Sequence, residues 1–330
     1  MLFRSERAGS DGIWRLNLLA RLREIDTARG RPMEAAAWDA LRAIVERRLE
    51  SAVAGPNASP ISLNQAVRHA LLAPGKRVRP LLTMLTAAEL GADPMKALDA
   101  GCAVELVHTA SLILDDLPCM DDAKTRRGLP ATHAAFGEAT AVLAAIAMLT
   151  RAFGISAGME SLTASARVDL TTILSFASGA DGLAAGQERD LNDRTPADAL
   201  AKINEINDQK TGALFIAAIQ MGGRIADANA DCMVALAALG REVGLAFQAL
   251  DDMIDLSHSS AKAGKDTGKD TGKATVATVL GLDFARDEVD RHMGQALAAI
   301  DPFSAPGGPL RTFVTAMFAQ ASANLRQPTE

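Results

Sequence analysis

The chain has 330 residues, of which 48% are apolar and 22% are charged, and its formal net charge is −6. This length is enough for one large domain with an extensive core. The negative charge excludes a surface that attracts nucleic acid as a whole. The three cysteines show neither a disulfide framework nor metal-ligand spacing, so we expect a reducing, cytoplasmic environment.

The N-terminal residues differ from the rest of the chain. Residues 1–32 mix acidic with basic side chains, which argues against a transit peptide, and they contain no apolar signal core. A good helical pattern begins directly after Met33. We therefore expect an N-terminal extension over 1–32 and a single domain over 33–330. The most apolar run, 140–150, is too short to cross a bilayer, so we expect no membrane span.

Helical spacing of apolar residues dominates the rest of the chain, and Gly and Pro separate the helical stretches. Ala and Leu are abundant and Tyr is absent, which favours helix over strand. The stretch 95–117 is apolar on nearly all sides, as is typical of a helix inside a large helical protein. The predicted fold is all-α, with helices over 34–54, 62–73, 80–90, 95–117, 138–158, 164–185, 197–221, 229–257 and 275–299.

An Asp-rich motif, DDMID, lies at residues 251–255. Asp251 and Asp255 are four residues apart, so a helix places their carboxylates on one face, with Gln248 one turn earlier. Carboxylates beside an apolar segment are costly unless a cation compensates them. Taken alone, the motif is as consistent with an exposed acidic patch at a helix end as with a metal site.

A second Asp-rich motif, DDLPCMDD at 115–122, ends the most apolar helix. Pro118 interrupts regular helix, and a distorted turn there can bring Asp115 and Asp121 onto one ion. Two acidic clusters, each at the end of an apolar helix, suggest that carboxylates line two facing walls of one site. Hard oxygen ligands favour Mg²⁺ over zinc, and Mg²⁺ usually takes phosphate oxygens as further ligands.

Clusters of cations lie near these motifs in an otherwise acidic protein. Arg126 and Arg127 follow the first motif directly, and their planar guanidinium groups suit a diphosphate. The stretch GKDTGKDTGK at 264–273 lacks the Walker spacing and a preceding strand, so we interpret it as a flexible cationic lid. The other clustered cations are Lys76, Arg77, Arg79, Lys210, Lys265, Lys269 and Lys273.

Six motifs in order resemble those of the trans-isoprenyl diphosphate synthases, or polyprenyl synthetases. They are GKRVRP (75–80), ELVHTASLILDDLPCMDDAKTRRG (105–128), GQERDL (186–191), QKTGALF (209–215), GLAFQALDDMIDL (244–256) and GKATV (272–276). Within this family the chain looks most like bacterial geranylgeranyl diphosphate synthases of carotenoid-type pathways. The resemblance implies an isoprenoid-synthase helical bundle around a deep central cavity, usually as a homodimer. It also implies Mg²⁺-dependent condensation of an allylic diphosphate with isopentenyl diphosphate.

The resemblance further implies a role for each matching residue. The ligands of Mg²⁺, three ions per site, are Asp115, Asp121, Asp251 and Asp255. Their supporting carboxylates are Asp116, Asp122 and Asp252. The allylic diphosphate is held by Arg126, Lys210 and Lys265, and isopentenyl diphosphate by Lys76, Arg79, His108 and Arg127. The developing allylic cation is faced by Thr211 and Gln248, and Lys273 helps to close the site.

Product length is predicted from the helix that carries Asp115. Ala110 and Ser111 lie roughly 6–8 Å deeper along that helix. Relatives that stop at fifteen carbons often carry a bulky aromatic residue at one of these positions. Both residues are small here, so the prediction is a C20 product. A purely structural interpretation remains for Ala110, as a close-packing residue between helices.

Four alternatives share part of this pattern. One is a synthase of longer-chain products, because the sequence does not reveal the floor of the cavity. A farnesyl diphosphate synthase uses the same chemistry with one fewer condensation. A terpene cyclase usually pairs one Asp-rich motif with an Asn/Ser/Glu metal motif, whereas the second motif here is Asp-rich. A non-catalytic subunit of a heteromeric prenyl synthase typically loses an Asp-rich motif, and both are intact here.

Overall fold

The computed structural model describes residues 35–53, 60–192, 199–257 and 275–325. The predicted extension over 1–32 and the cationic stretch 264–273 lie outside the described residues, as do Lys265 and Lys273.

The described residues are almost entirely helical, which confirms the all-α prediction. A π-helical turn spans Asp208–Gly212 and a 3₁₀ turn spans Pro94–Ala97. The helices are α1 (Ala35–Ala52), α2 (Ile61–Leu71), α3 (Val78–Glu89), α4 (Leu98–Asp115), α5 (Thr132–Phe136), α6 (Glu138–Ala157), α7 (Ala164–Ser178), α8 (Leu183–Asn192), α9 (Ala199–Asn207), α10 (Ala213–Ile225), α11 (Ala230–Ser257), α12 (Val276–Leu280), α13 (Leu282–Ile300) and α14 (Pro309–Leu325).

Helix α4 lies at the centre of the bundle. It packs against α3, α6 and α10, and α1 lies against it as well. Leu106 and Ala103 are fully buried, as expected for a helix that is apolar on nearly all sides. Gly101 allows α3 to approach closely, because a Cβ there would lie 2.9 Å from the Cα of Pro80. The central helix is thus fixed on several sides, and its C-terminal end carries the first Asp-rich motif.

Three predicted helices are divided in the structure. The predicted helix 197–221 is interrupted by the π-helical turn between α9 and α10. The predicted helix 164–185 breaks between Ser178 and Leu183, because the chain turns back on itself there. A Cβ on Gly182 would lie 2.4 Å from the carbonyl oxygen of Ala177, so only glycine fits this turn. The predicted helix 275–299 breaks at Gly281, whose φ of +90° favours glycine.

Three elements were not predicted at all, namely the short helix α5, helix α14 and a hairpin. Helix α14 follows the predicted helices, and its first turn is tied to α3 because the Leu310 N–H donates to Glu89 Oε2 at 2.8 Å. A two-residue hairpin pairs β1 (Thr125–Arg126) with β2 (Leu129–Pro130) in antiparallel register. This hairpin determines the positions of the two arginines that follow the first Asp-rich motif.

Three helical segments are long and apolar enough to cross a membrane by length and composition. They are Pro94–Asp115, Glu138–Ala157 and Ala230–Leu256. The absence of a membrane span therefore stays a prediction. In the first segment, 72% of the most apolar window is buried inside the bundle, so core packing already accounts for its composition.

Candidate active site

The cavity

Both Asp-rich motifs line one cavity of about 280 Å³. This is near the lower end of the range for small-molecule sites. Its acidic lining comes from the end of α4, the loop after it, α8 and α11. The apolar lining residues include Leu112, Leu183, Ile203, Leu214 and Phe247. The cavity therefore combines a charged region with an apolar region, as a ligand with an anionic head and a hydrocarbon chain requires.

The first Asp-rich motif forms a compact turn after α4. The Asp121 N–H donates to the carbonyl oxygen of Asp115 at 2.9 Å, which draws the two residues together as the interruption at Pro118 suggested. Both side chains line the cavity. Burial raises the pKa of Asp115 to about 6, with Asp121 adding to the rise and Lys210 opposing it. A nearby cation would relieve this cost of holding a buried carboxylate ionised.

The second Asp-rich motif lies in the last turns of α11. Asp251 and Asp255 line the cavity from one face of this helix, with Gln248 one turn earlier, as the spacing predicted. Asp252 also lines the cavity but is almost fully buried.

A short hydrogen-bond chain connects the π-helical turn with α11. The Thr211 hydroxyl donates to Gln248 Oε1 at 2.6 Å, and Gln248 Nε2 donates to Asp252 Oδ1 at 2.8 Å. These bonds fix the orientation of the Gln248 amide. The amide and the hydroxyl are therefore held in place at the cavity wall.

The π-helical turn that carries Lys210 and Thr211 lies between two glycines. A Cβ on Gly186 of α8 would lie 2.3 Å from the Lys210 backbone nitrogen. A Cβ on Gly244 of α11 would lie 2.7 Å from the Cα of Gly212. Such turns inside helices are frequent at functional sites. The two close approaches explain glycines in the motifs GQERDL and GLAFQALDDMIDL, and they position the Lys210 side chain.

The cations

Arg79 and His108 bring positive charge and a ring nitrogen to the cavity wall. Arg79 is 8% exposed, and its guanidinium stacks over the Phe215 ring at 4.6 Å. Burial, reinforced by neighbouring Arg127, lowers the pKa of Arg79 to about 10. Burial and then Arg79 also lower the pKa of His108 well below its ordinary value, so its imidazole is neutral near pH 7.

The two arginines after the first motif point to different partners. Arg126 lines the cavity and donates from Nε to Asp116 Oδ1 at 3.0 Å. Asp116 is 2% exposed and lies outside the main cavity lining, so the structure places it behind Arg126. Arg127 lies within 3.8 Å of Glu105, and burial lowers its pKa. Lys76 is exposed.

The two residues proposed to set product length differ in position. Ser111 lines the cavity and donates its hydroxyl to the His108 carbonyl oxygen at 2.9 Å. Ala110 is fully buried and is not part of the described cavity lining.

The sequence analysis assigned no role to five polar residues that line the cavity, namely Thr125, Gln187, Asp190, Asn207 and Thr275. Asp190 accepts a hydrogen bond from Lys210 Nζ at 2.6 Å. Gln187 is 7% exposed, and neither of its amide atoms has a partner among the described residues. The motif GQERDL was the available signal for Gln187 and Asp190, but only the fold shows that it lies beside Lys210.

The oxygen atoms that the cavity lining offers to a metal fit magnesium. The cavity offers carboxylate oxygens, and Cys119 is exposed and outside its lining. Within the described ranges, no group of three His, Cys, Asp or Glu side chains converges as a ready-made metal cluster. Magnesium is commonly held by one or two carboxylates together with substrate phosphates. Carboxylate pairs on two walls of one cavity provide such partial coordination.

Similarity to known proteins

Residues 61–302 match the sequence model of the family described as polyprenyl synthetase. The chain belongs to the polyprenyl synthetase family. A geranylgeranyl diphosphate synthase from Pantoea ananas is 38% identical over 86% of this chain and 93% of that protein. A farnesyl diphosphate synthase from Bacillus subtilis is 37% identical over 74% of this chain and 84% of that protein.

A solved structure resembles this polyprenyl synthetase closely. It is a geranyltransferase from Helicobacter pylori complexed with magnesium and isoprenyl diphosphate. The TM-score is 0.78 at 29% identity, covering 88% of this chain and 97% of the other. The protein is therefore a prenyltransferase of the trans-isoprenyl diphosphate synthase class, and its family uses isopentenyl and allylic diphosphates.

Proposed function

We propose that the protein is a geranylgeranyl diphosphate synthase that condenses isopentenyl diphosphate with allylic diphosphates up to a C20 product. The observation that carries this proposal is the single cavity in which two Asp-rich motifs and several cations meet an apolar wall. The 38% identity to the Pantoea ananas enzyme supports the C20 product.

The allylic diphosphate would lie between the two Asp-rich motifs. Three magnesium ions, held by Asp115, Asp121, Asp251 and Asp255 together with the diphosphate, would supply the Lewis-acid charge that favours departure of diphosphate. Arg126 and Lys210 add fixed positive charge at the same place, because Asp116 and Asp190 orient them. Lys265 and Lys273 lie outside the described residues, and their contribution remains part of the proposal.

Isopentenyl diphosphate would bind to Lys76, Arg79 and Arg127, together with His108. Burial lowers the pKa values of Arg79, which is buried, and of Arg127, which is partly exposed, and a diphosphate would provide an anionic partner for both. Lys76, which is exposed, would close on the same anion. His108 is neutral and therefore acts as a hydrogen-bonding group for the diphosphate rather than as a second charge.

The carbocation that forms when diphosphate leaves must be kept from water. Phe247 and Leu214 provide apolar surface there, while Thr211 and Gln248 present oriented oxygen atoms towards the developing positive charge. The double bond of isopentenyl diphosphate attacks the cation, and the new cation then loses a proton. The departing diphosphate is a suitable base, so the chain needs no nucleophilic side chain.

Ser111 supports the C20 assignment, since its small side chain lines the cavity below Asp115 and does not obstruct growth of the hydrocarbon chain. The second candidate is a farnesyl diphosphate synthase, which the Bacillus subtilis relative favours. The test is an assay with Mg²⁺, isopentenyl diphosphate and C5, C10 or C15 primers, followed by product chromatography. We expect C20 from the wild type and C15 from Ser111→Phe, because Ser111 lines the cavity whereas Ala110 is not part of its described lining. A C15 product from the wild type would contradict the C20 assignment.

We also propose a cytoplasmic homodimer that serves a carotenoid-type pathway. All three cysteines are free in the described structure, as a reducing compartment favours. Exposed apolar side chains on α6 and α7, namely Leu143, Ile146, Val168 and Phe176, offer a surface that a second copy would cover. Sedimentation equilibrium measures the oligomeric state directly.

A further inference from the structure

A chain of four charged side chains runs from the proposed binding site for isopentenyl diphosphate to the N-terminal helix α1. Its members are Glu46 of α1, Arg77 at the start of α3, Glu105 of α4 and Arg127 of the hairpin. Glu46 lies outside residues 61–302, which match the family. Helix α1 thus contributes a charged side chain to a network that ends at the proposed binding site for isopentenyl diphosphate.

Arg77 is the centre of this network. Its side chain is fully buried, and it donates from Nε to Glu46 Oε1 at 2.6 Å and from Nη2 to Glu46 Oε2 at 3.2 Å. Nη2 also lies 2.8 Å from the carbonyl oxygens of Leu71 and Ala73. A two-point contact between guanidinium and carboxylate fixes orientation as well as charge. Arg77 therefore joins α1 to the end of α2 and cannot rotate freely.

Glu105 connects Arg77 with Arg127. Its side chain is 2% exposed, and its Oε1 accepts from Arg77 Nη1 at 3.1 Å and lies 3.8 Å from Arg127 Nη2. One buried carboxylate thus lies between two arginines, and its charge also acts on nearby Arg79. How strongly Glu105 attracts Arg127 depends on how far the charge of Arg77 is already compensated by Glu46.

The backbone supports the same connection. Arg77 and Arg127 have φ values of 49° and 54°, in the left-handed region that bulky side chains rarely adopt. The two guanidinium groups pass close to Gly75, where a Cβ would lie 3.2 Å from Arg77 Nη1 and 3.3 Å from Arg127 Cζ. Strained conformations of this kind persist only where the surrounding contacts enforce them. The carboxylates of Glu46 and Glu105 supply those contacts.

We infer that Glu46, acting through Arg77 and Glu105, positions Arg127 to bind isopentenyl diphosphate, so that helix α1 is part of the substrate-binding machinery. This inference rests on the proposed function. Without the charge of Glu46, Arg77 would draw Glu105 towards itself, and Arg127 would lose the carboxylate that orients it. The residues proposed to bind the allylic diphosphate lie outside this network and should be unaffected.

The test compares Glu46→Gln with the matched control Glu50→Gln. Glu50 is on the same helix and forms an exposed ion pair with Arg68 at 2.8 Å, so its loss leaves the network intact. Both variants and the wild type are assayed for kcat and for the KM of each substrate. Calorimetric titration with isopentenyl diphosphate and thermal unfolding are measured alongside.

We expect Glu46→Gln to weaken binding of isopentenyl diphosphate and raise its KM about tenfold, as the loss of one charge-assisted contact would. The kcat and the allylic KM should stay within about twofold of the wild type, since no group that touches the allylic diphosphate is changed. Glu46→Asp, which keeps the charge on a shorter side chain, should restore part of the affinity. Glu50→Gln should match the wild type throughout.

Wild-type affinity for isopentenyl diphosphate in Glu46→Gln, even with a lowered melting temperature, would overturn the inference and leave Glu46 a purely structural residue. An equal rise in both KM values would overturn it too. If Glu46→Gln does not fold, Glu46→Asp replaces it, and unchanged binding in that variant counts against the inference. Failure of the wild type to condense any primer would instead contradict the proposed function.

Discussion

The substitution Gly186→Ala tests whether the contact between α8 and the π-helical turn positions Lys210. The new methyl carbon would lie 2.3 Å from the Lys210 backbone nitrogen and 2.7 Å from its Cα. Both neighbours are backbone atoms, so no side-chain rotation can relieve the overlap. Either α8 or the π-helical turn must move.

The size of the effect follows from these distances. Ordinary contact begins at 3.4 Å, so the backbone nitrogen of Lys210 has to retreat by about 1 Å. A displacement of that size at a catalytic group can lower the rate about a hundredfold. Overpacking of this kind destabilises a protein by about 1–3 kcal/mol. We therefore expect kcat to fall between about tenfold and a hundredfold, with a melting temperature several degrees lower.

The assay follows incorporation of labelled isopentenyl diphosphate into allylic product, together with thermal unfolding. Gly154→Ala is the matched control, because Gly154 is in the last turn of α6 and a Cβ there meets nothing within 4 Å. Glycine inside a helix is less stable than alanine by roughly 0.5–1 kcal/mol, so the control should gain stability and keep its activity.

One result would refute the reasoning. If Gly186→Ala loses the expected stability but keeps the wild-type kcat, the close approach serves packing alone and does not set the position of Lys210. A loss of activity in Gly154→Ala as large as that in Gly186→Ala would equally contradict it, since the two glycines differ in what surrounds them.

Two further predictions concern the metal and its neighbours. Treatment with EDTA should abolish condensation, and added Mg²⁺ should restore it, because the cavity carboxylates need a cation to hold a diphosphate. Turnover in the presence of EDTA would contradict the metal site. Asp116→Asn should raise the KM of the allylic diphosphate and lower the free energy of unfolding by about 3 kcal/mol, since it leaves Arg126 without its buried carboxylate. Chemical denaturation and steady-state kinetics measure the two effects, and an unchanged allylic KM would show that Asp116 does not position Arg126.

The helices were largely predictable from the sequence, and the errors have a physical cause. Apolar periodicity identified α4 and α11 because each buries much of its surface. The apolar periodicity wrongly joined α7 to α8, because Gly179 and Gly182 do not by themselves stop a helix in the sequence. In the fold these two glycines allow the chain to reverse direction tightly. The stretch that forms α14 was not assigned to any element, although it packs against α3 and α11.

The candidate site was predictable only where residue type and local spacing carry the information. Asp251 and Asp255 are four residues apart in one helix, so their shared face follows from the sequence. Asp190, in contrast, belongs to the site because α8 passes beside the π-helical turn and places it 2.6 Å from Lys210. Glu46 could not be found at all, since its partner Arg77 is 31 residues away and buried.

The distribution of charge explains how an acidic protein can bind two polyanionic substrates. The net charge of −6 gives no general attraction for diphosphate. Arg79 in the cavity wall is instead buried and its neighbour Arg127 is largely buried, and burial lowers the pKa values of both. Each carboxylate behind them fixes an orientation, as Asp116 does for Arg126 and Glu105 for Arg127. Positive charge that is held in place before the substrate arrives needs little reorganisation when the diphosphate leaves. The need for such fixed positive charge explains why carboxylates lie directly behind the cations of an anion-binding site.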